Sequence, residues 1–336
     1  MNEPVGSDAS TERSDTESDG AVDCVCCHRP IRGRVRTVGG RPYCAEHYAR
    51  ATLGSRGTWP ALGAMLVGLV VLGLLMFALG SRISDALDDR WLVLVGLVLA
   101  IVPTLLWLGV FRELDRLEPE PHQYLLSVTV LAALLTGTIA EPLRRDAFAL
   151  HTWQPDAWYW SIPVNAMIQG VIQATVVYVT VRYTVFLSDE FDERADGIIY
   201  GTAAGLGCAM LINFHYVLDH PGLRLDVGTA RIIVTALVLA SLGGLVGYGL
   251  GQVKFERHSP WFAALFVVVA ALLNGSFDWL VTEFARRQFG SEEWPAVLAA
   301  ALFALLVLGI VYGLLQHAVR ETRAEMSGTL TATGEG

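Results

Sequence analysis

Cys24 and Cys27 stand in C-x2-C spacing, and sixteen residues later Cys44 and His47 stand in C-x2-H spacing. Three thiolates and one imidazole in two knuckles suit a tetrahedral zinc ion. With all four positions filled by protein, such a site is structural and leaves nothing open for a substrate. The intervening RVRTVGGRPY alternates polar and apolar residues around Gly39-Gly40, which predicts a hairpin. A segment this short cannot build a core of its own, so metal affinity has to supply its folding free energy. Cys26 offers a competing thiolate, and plain reduced thiols in a cytosolic arm are the alternative reading.

A second group of polar residues lies inside apolar runs, where water is scarce: Glu141, Gln173, Asn213, His215, Asn274 and Asp278. Intramembrane amides tend to bond one another across helices, as Gln173, Asn213 and Asn274 are expected to do. An ionisable residue in a span marks a functional candidate. His215 with Glu141 and Asp278 offers a base or three metal donors. Against this, both carboxylates fall close enough to span ends to be hydrated.

The elements that must position these residues are membrane helices. Of 336 residues 53% are hydrophobic and 17% charged, and the mean hydropathy is +0.45, outside the range of soluble domains. Apolar runs long enough to span a bilayer occupy roughly 60–80, 91–111, 124–142, 161–187, 197–218, 230–251, 261–282 and 294–316. The expected fold is an all-α polytopic bundle of about eight transmembrane helices with a small, β-rich N-terminal finger. Residues 1–20 read as a disordered acidic leader, 21–50 as the finger, 59–317 as the membrane domain and 318–336 as a disordered tail. Gly197, Gly201 and Gly205 in one span, with Gly243, Gly247 and Gly251 in the next, predict a close helix–helix approach.

Net charge is −9, and Lys254 is the single lysine among 24 basic residues. The acidic, arginine-rich balance suggests a high-GC, archaeal-like source and carries no nucleic-acid footprint. With the head inside, nine basic residues flank the spans on its face and eight on the other. That bias and the thiols place the N-terminus in the cytoplasm of a multi-pass cell-membrane protein.

Longer motifs then come into view. FRELDRLEPEPHQY carries Asp115 and Glu118-Pro119-Glu120-Pro121 before a span, and FDERADGIIYGTAAGLGCAMLINFHY opens a later one. With GLVGYGLGQVKF and LLNGSFDWL, these segments resemble the PrsW family of intramembrane proteases from about Phe111 to Leu280. The resemblance implies a Glu-Glu-x-x-Lys motif at Gln173, Ala174 and Val177, a glutamate at Ile212 before Asn213, and histidines at Leu239 and Asn274. None of those family residues is present. Counted from the span ends, these positions share one layer about 20 Å deep.

Proteolysis by activated water needs a general base, which amides cannot supply. The expected function is therefore a protease homologue, impaired in catalysis, that binds transmembrane segments of single-pass or other membrane proteins and contacts membrane lipids. An active, divergent protease using His215, Glu141 or Asp278 is the alternative. A membrane transporter is a third reading, disfavoured because no inverted repeat with broken helices is visible.

Overall fold

The computed structural model describes residues 22–332 except 25–26, 28, 32–34, 39–40, 53–58, 115–121, 154, 156, 189, 192, 221–223, 256–258 and 287–293. The acidic leader, Cys26, the Gly39-Gly40 turn and the Glu118–Pro121 loop therefore lie outside the described residues. The chain divides into two compact units, Met1–Ser55 and Arg56–Gly336.

In the first unit, strands β1 (Arg36–Val38) and β2 (Arg41–Tyr43) pair antiparallel, Arg36 opposite Tyr43, and helix α1 (Ala45–Thr52) follows at once. The first knuckle is closed by backbone bonds from Cys24 N–H to the Arg29 carbonyl and from Ile31 N–H to the Val22 carbonyl, both 2.9 Å. Tyr43 and Cys24 are buried, and they make up the small apolar centre.

The second unit contains α2 (Trp59–Ala86), α3 (Asp89–Leu114), α4 (His122–Leu135), the short α5 (Leu150–Trp153), α6 (Trp158–Asn165), α7 (Val171–Thr184), α8 (Arg194–Asp219), α9 (Leu225–Phe255), α10 (Pro260–Arg286) and α11 (Trp294–Ala332). Among the described residues, eight helical stretches are long and apolar enough to cross a membrane, with α4 extended to Ala147 and α6 running into α7. Three of them begin with a Trp/Pro pair: Trp59-Pro60, Pro260-Trp261 and Trp294-Pro295. Proline in a first turn loses no bond, because that N–H has no helical partner. Trp158, Tyr159 and Trp160 are exposed together at the start of α6, as an aromatic belt at a membrane interface requires. α11 continues to Ala332, so the tail expected to be disordered from residue 318 is helical for most of its length.

α8 and α9 form the centre of the bundle; 72% of the most apolar stretch of α8 and 89% of that of α9 is buried, against 17% for Gly63–Gly80 of α2. Their contact is set by glycine. A Cβ on Gly247 would strike the Gly197 carbonyl oxygen, one on Gly201 that of Gly243, and one on Gly205 that of Leu239. The two backbones meet along the whole glycine ladder, with no room for any side chain between them. α8 is started by a capping box in which Glu193 and Asp196 exchange bonds with each other's backbone, the Glu193 N–H lying 2.6 Å from Asp196 Oδ2.

Three wide π turns interrupt the bundle, at Thr136–Ala140, Leu143–Ala147 and Ala166–Gly170. Pro142 separates the first two and Pro163 precedes the third. A helical proline removes an N–H and clashes with the preceding turn, and a widened turn relieves that conflict. Such turns rotate the side chains after them, and they recur at functional sites.

Candidate functional site

In the head, the sulfurs of Cys24, Cys27 and Cys44 and a ring nitrogen of His47 all lie within 4.8 Å of one another, so this group could hold a metal ion. His47 reaches the site because Cys44 immediately precedes α1 and the histidine comes one turn later. Its Nδ1 sits 3.0 Å from Cys44 Sγ and 3.7 Å from Cys24 Sγ. The Arg29 backbone lowers the Cys27 thiol pKa, but loss of water and the neighbouring Cys24 and Cys44 thiols outweigh it and raise the value. A metal ion must displace that proton on binding.

In the membrane unit, a cavity of about 930 Å³ runs from the end of the bundle at the α8–α9 turn down to mid-helix. α8 contributes Ile212, His215, Tyr216 and Asp219 to its wall, with His220 just past its end, and α9 contributes Val227, Arg231, Val234, Thr235 and Leu239. α10 adds Asn274, Phe277, Asp278 and Val281, and α11 adds Ala296, Val297 and Ala300. The π turns aim Glu141, Arg144, Arg145 and Gln169 into the same space, and Gln173 follows from α7.

Gln173, Ile212, Leu239 and Asn274, distant in sequence, therefore line one cavity, and with them His215, Glu141 and Asp278. Ala174 and Val177 are buried one step aside. They border a second void of about 10 Å³, shared with Gln173, Leu239, Asn274 and Cys208, which barely matches one water. Asn213 departs from expectation: it is 1% exposed, points away from the cavity, and donates to the Ile232 carbonyl at 3.1 Å. Among the described residues no hydrogen bond joins Gln173, Asn213 and Asn274, so the expected amide network across helices does not form there. A nearby carbonyl satisfied Asn213 first.

Glu141 also differs. Rather than being hydrated at a span end, it is 6% exposed and accepts hydrogen bonds from Arg144 Nη2 at 2.6 Å and from Arg145 Nε at 3.0 Å. Arg145 in turn pairs with Asp219, tying the end of α8 to the second π turn. Both carboxylate oxygens of Glu141 are thus taken up by guanidinium donors and are not free to receive a proton from a bound water. Among the described residues the head cluster alone has metal-binding geometry, so His215, Glu141 and Asp278 do not converge on an ion. The donor set at Gln173, Ala174, Ile212, Leu239 and Asn274 holds no imidazole, thiolate or carboxylate and does not fit a catalytic metal.

Sequence reasoning missed Arg144, Arg145, Asp219 and Arg231 as cavity residues, having counted the arginines as loop charges and ended the third span at residue 142. The signal was there in Glu141 with arginines three and four places on, a spacing that pairs charges on one helix face.

Among the described residues, two buried polar atoms at the cavity, Gln173 Nε2 and His215 Nδ1, meet no nitrogen or oxygen partner. Left dry, each would cost about 1–3 kcal/mol, so water or a ligand has to meet them.

Residues 120–311 match the family described as PrsW family intramembrane metalloprotease. Curated relatives include Protease PrsW of Bacillus subtilis, 27% identical over 188 residues covering 55% of this chain and 82% of the relative. The Protease PrsW of Geobacillus kaustophilus is 26% identical over 210 residues, or 61% of this chain and 84% of the relative. That of Clostridioides difficile is 26% identical over 190 residues, or 55% and 78%. None of these supports an archaeal-like source. No solved structure matches the chain.

Proposed function

We propose that this chain, a multi-pass membrane protein that belongs to the PrsW family of intramembrane metalloproteases, holds membrane segments of partner proteins in its cavity without cutting them. The observation that carries this reading is the chemistry of the cavity floor. At the positions where the family resemblance calls for glutamates and histidines stand Gln173, Ala174, Ile212, Leu239 and Asn274. Hydrolysis requires a group that takes a proton from water, and an amide cannot do so at neutral pH. Amides do donate to and accept from peptide backbone, which an extended segment presents when it leaves its own helix. An active divergent protease would have to use His215, Glu141 or Asp278, and the ion pairs of Glu141 count against it.

In the head, the same reading assigns a structural zinc to Cys24, Cys27, Cys44 and His47. The head, the start of α8 and the end of α11 face the cytoplasm, a placement supported by the basic residues on that face and by the reduced thiols.

The binding claim is tested with the purified chain in lipid nanodiscs and a fluorescent single-span peptide. Gln173→Ala and Asn274→Ala are each expected to weaken binding about tenfold, the scale of one lost buried hydrogen bond. Unchanged affinity in both variants would remove the cavity floor from the binding site.

A further inference from the structure

The carboxylates of the cavity wall are already engaged. Glu141 and Asp219 are matched by Arg144 and Arg145. Asp278 is engaged in an interaction of its own. Arg231 is different. Its guanidinium lies over the Tyr216 ring, 4.1 Å from the centroid, and that ring is its one partner among the described residues. The ring holds the cation in place without neutralising it, leaving the planar fork open to an acceptor. Deeper in, Gln173 Nε2 is buried beside the Cys208 thiol and meets no oxygen acceptor among the described residues.

We propose that Arg231 is an anion anchor, and that the segment held in this cavity is chosen by a carboxylate. This rests on the binding reading above and narrows it to segments carrying Asp or Glu. The distance between the two donor positions sets a register. Arg231 and Leu239 are eight residues apart on α9, about 12 Å of helix, and Leu239 shares the small void with Gln173. An extended chain covers about 3.3 Å per residue. The carboxylate therefore sits three or four residues from the peptide carbonyl that Gln173 receives. The opposite wall, Phe277, Val281, Val297 and Ala300, is apolar and suits the flanking aliphatic side chains of such a segment.

The test uses the full chain in nanodiscs of zwitterionic lipid and fluorescent single-span peptides of Leu and Ala. Each carries one Glu, scanned residue by residue through the half of the span nearest the α8–α9 turn, and each has a Gln twin. At one position the Glu peptide is expected to bind at least about tenfold tighter than its twin, as charge-assisted bonds to a preset guanidinium do. Arg231→Gln is expected to abolish that preference, so that each Glu peptide binds no better than its Gln twin, while Arg231→Lys keeps part of it. Equal binding of every Glu and Gln pair by the unmodified chain would overturn the anchor and leave the binding reading standing. If no peptide binds at all, the binding reading fails and the anchor with it. A preference that disappears when anionic lipid is added would assign Arg231 to a lipid phosphate instead of a client, which also overturns the proposal.

Discussion

Gly247→Val is expected to leave little correctly assembled bundle. The new Cβ falls on the Gly197 carbonyl oxygen and against the Gly201 backbone. Backbone of a buried helix cannot swing aside as a long side chain can, so α8 and α9 must separate along the ladder. Overpacking of a tight core costs about 1–3 kcal/mol and occasionally more, and here the separation also opens the contacts at Gly201 and Gly205. The outcome is read by size-exclusion in detergent and by thermal aggregation, with the variant expected to aggregate or melt far below the unmodified protein. Gly309→Ala and Gly313→Ala are the controls. A Cβ added at either position would meet no neighbouring atom within 4 Å, and both variants should behave as the unmodified chain. A Gly247→Val protein of normal stability would show that the close approach of α8 and α9 is wrong.

Removing the proposed zinc is expected to have an effect of comparable size, confined to the head. Structural zinc contributes about 10–16 kcal/mol of apparent binding free energy in short finger peptides, far more than a unit of this length gains from burying Tyr43 and little else. Cys44→Ser takes away one ligand and the partner of His47 Nδ1. Metal analysis should find one zinc per chain in the unmodified protein and none in the variant, with residues 22–52 becoming protease-sensitive. Since the membrane helices make up a separate compact unit, their melting temperature should stay the same. A reduced protein that takes up no zinc would refute the assignment.

The fold was largely legible from the sequence, and the site only in part. Eight spans can be read because a bilayer demands some twenty apolar residues in a row, and the glycine ladder because only one residue type lets two backbones touch. The convergence of Gln173, Ile212, Leu239 and Asn274 on one cavity was legible through the family resemblance and through depth counting. Partner choice was not. Asn213 bonds a carbonyl of the neighbouring helix, Ile232, and local pattern carries no information about which atom of another helix lies nearest. The π turns went unseen because periodicity averages over a whole span, whereas widened turns put Glu141 in the interior and bring Arg144 and Arg145 to the cavity wall beside it. Hydropathy sums ended the span before those arginines. They stand at the cavity wall because each finds a carboxylate.

The central claim is that this cavity binds but does not hydrolyse, and a cleavage assay tests it most directly. Purified protein in lipid is incubated with a labelled single-span peptide that it binds, and fragments are followed by mass spectrometry over many binding lifetimes. No fragment above the rate of empty nanodiscs is predicted, because no residue at Gln173, Ala174, Ile212, Leu239 or Asn274 can accept a proton from water. Cleavage by the unmodified protein that persists in Gln173→Ala but is lost in His215→Ala or Asp278→Ala would contradict the account, and would show an active site displaced toward the α8–α9 turn.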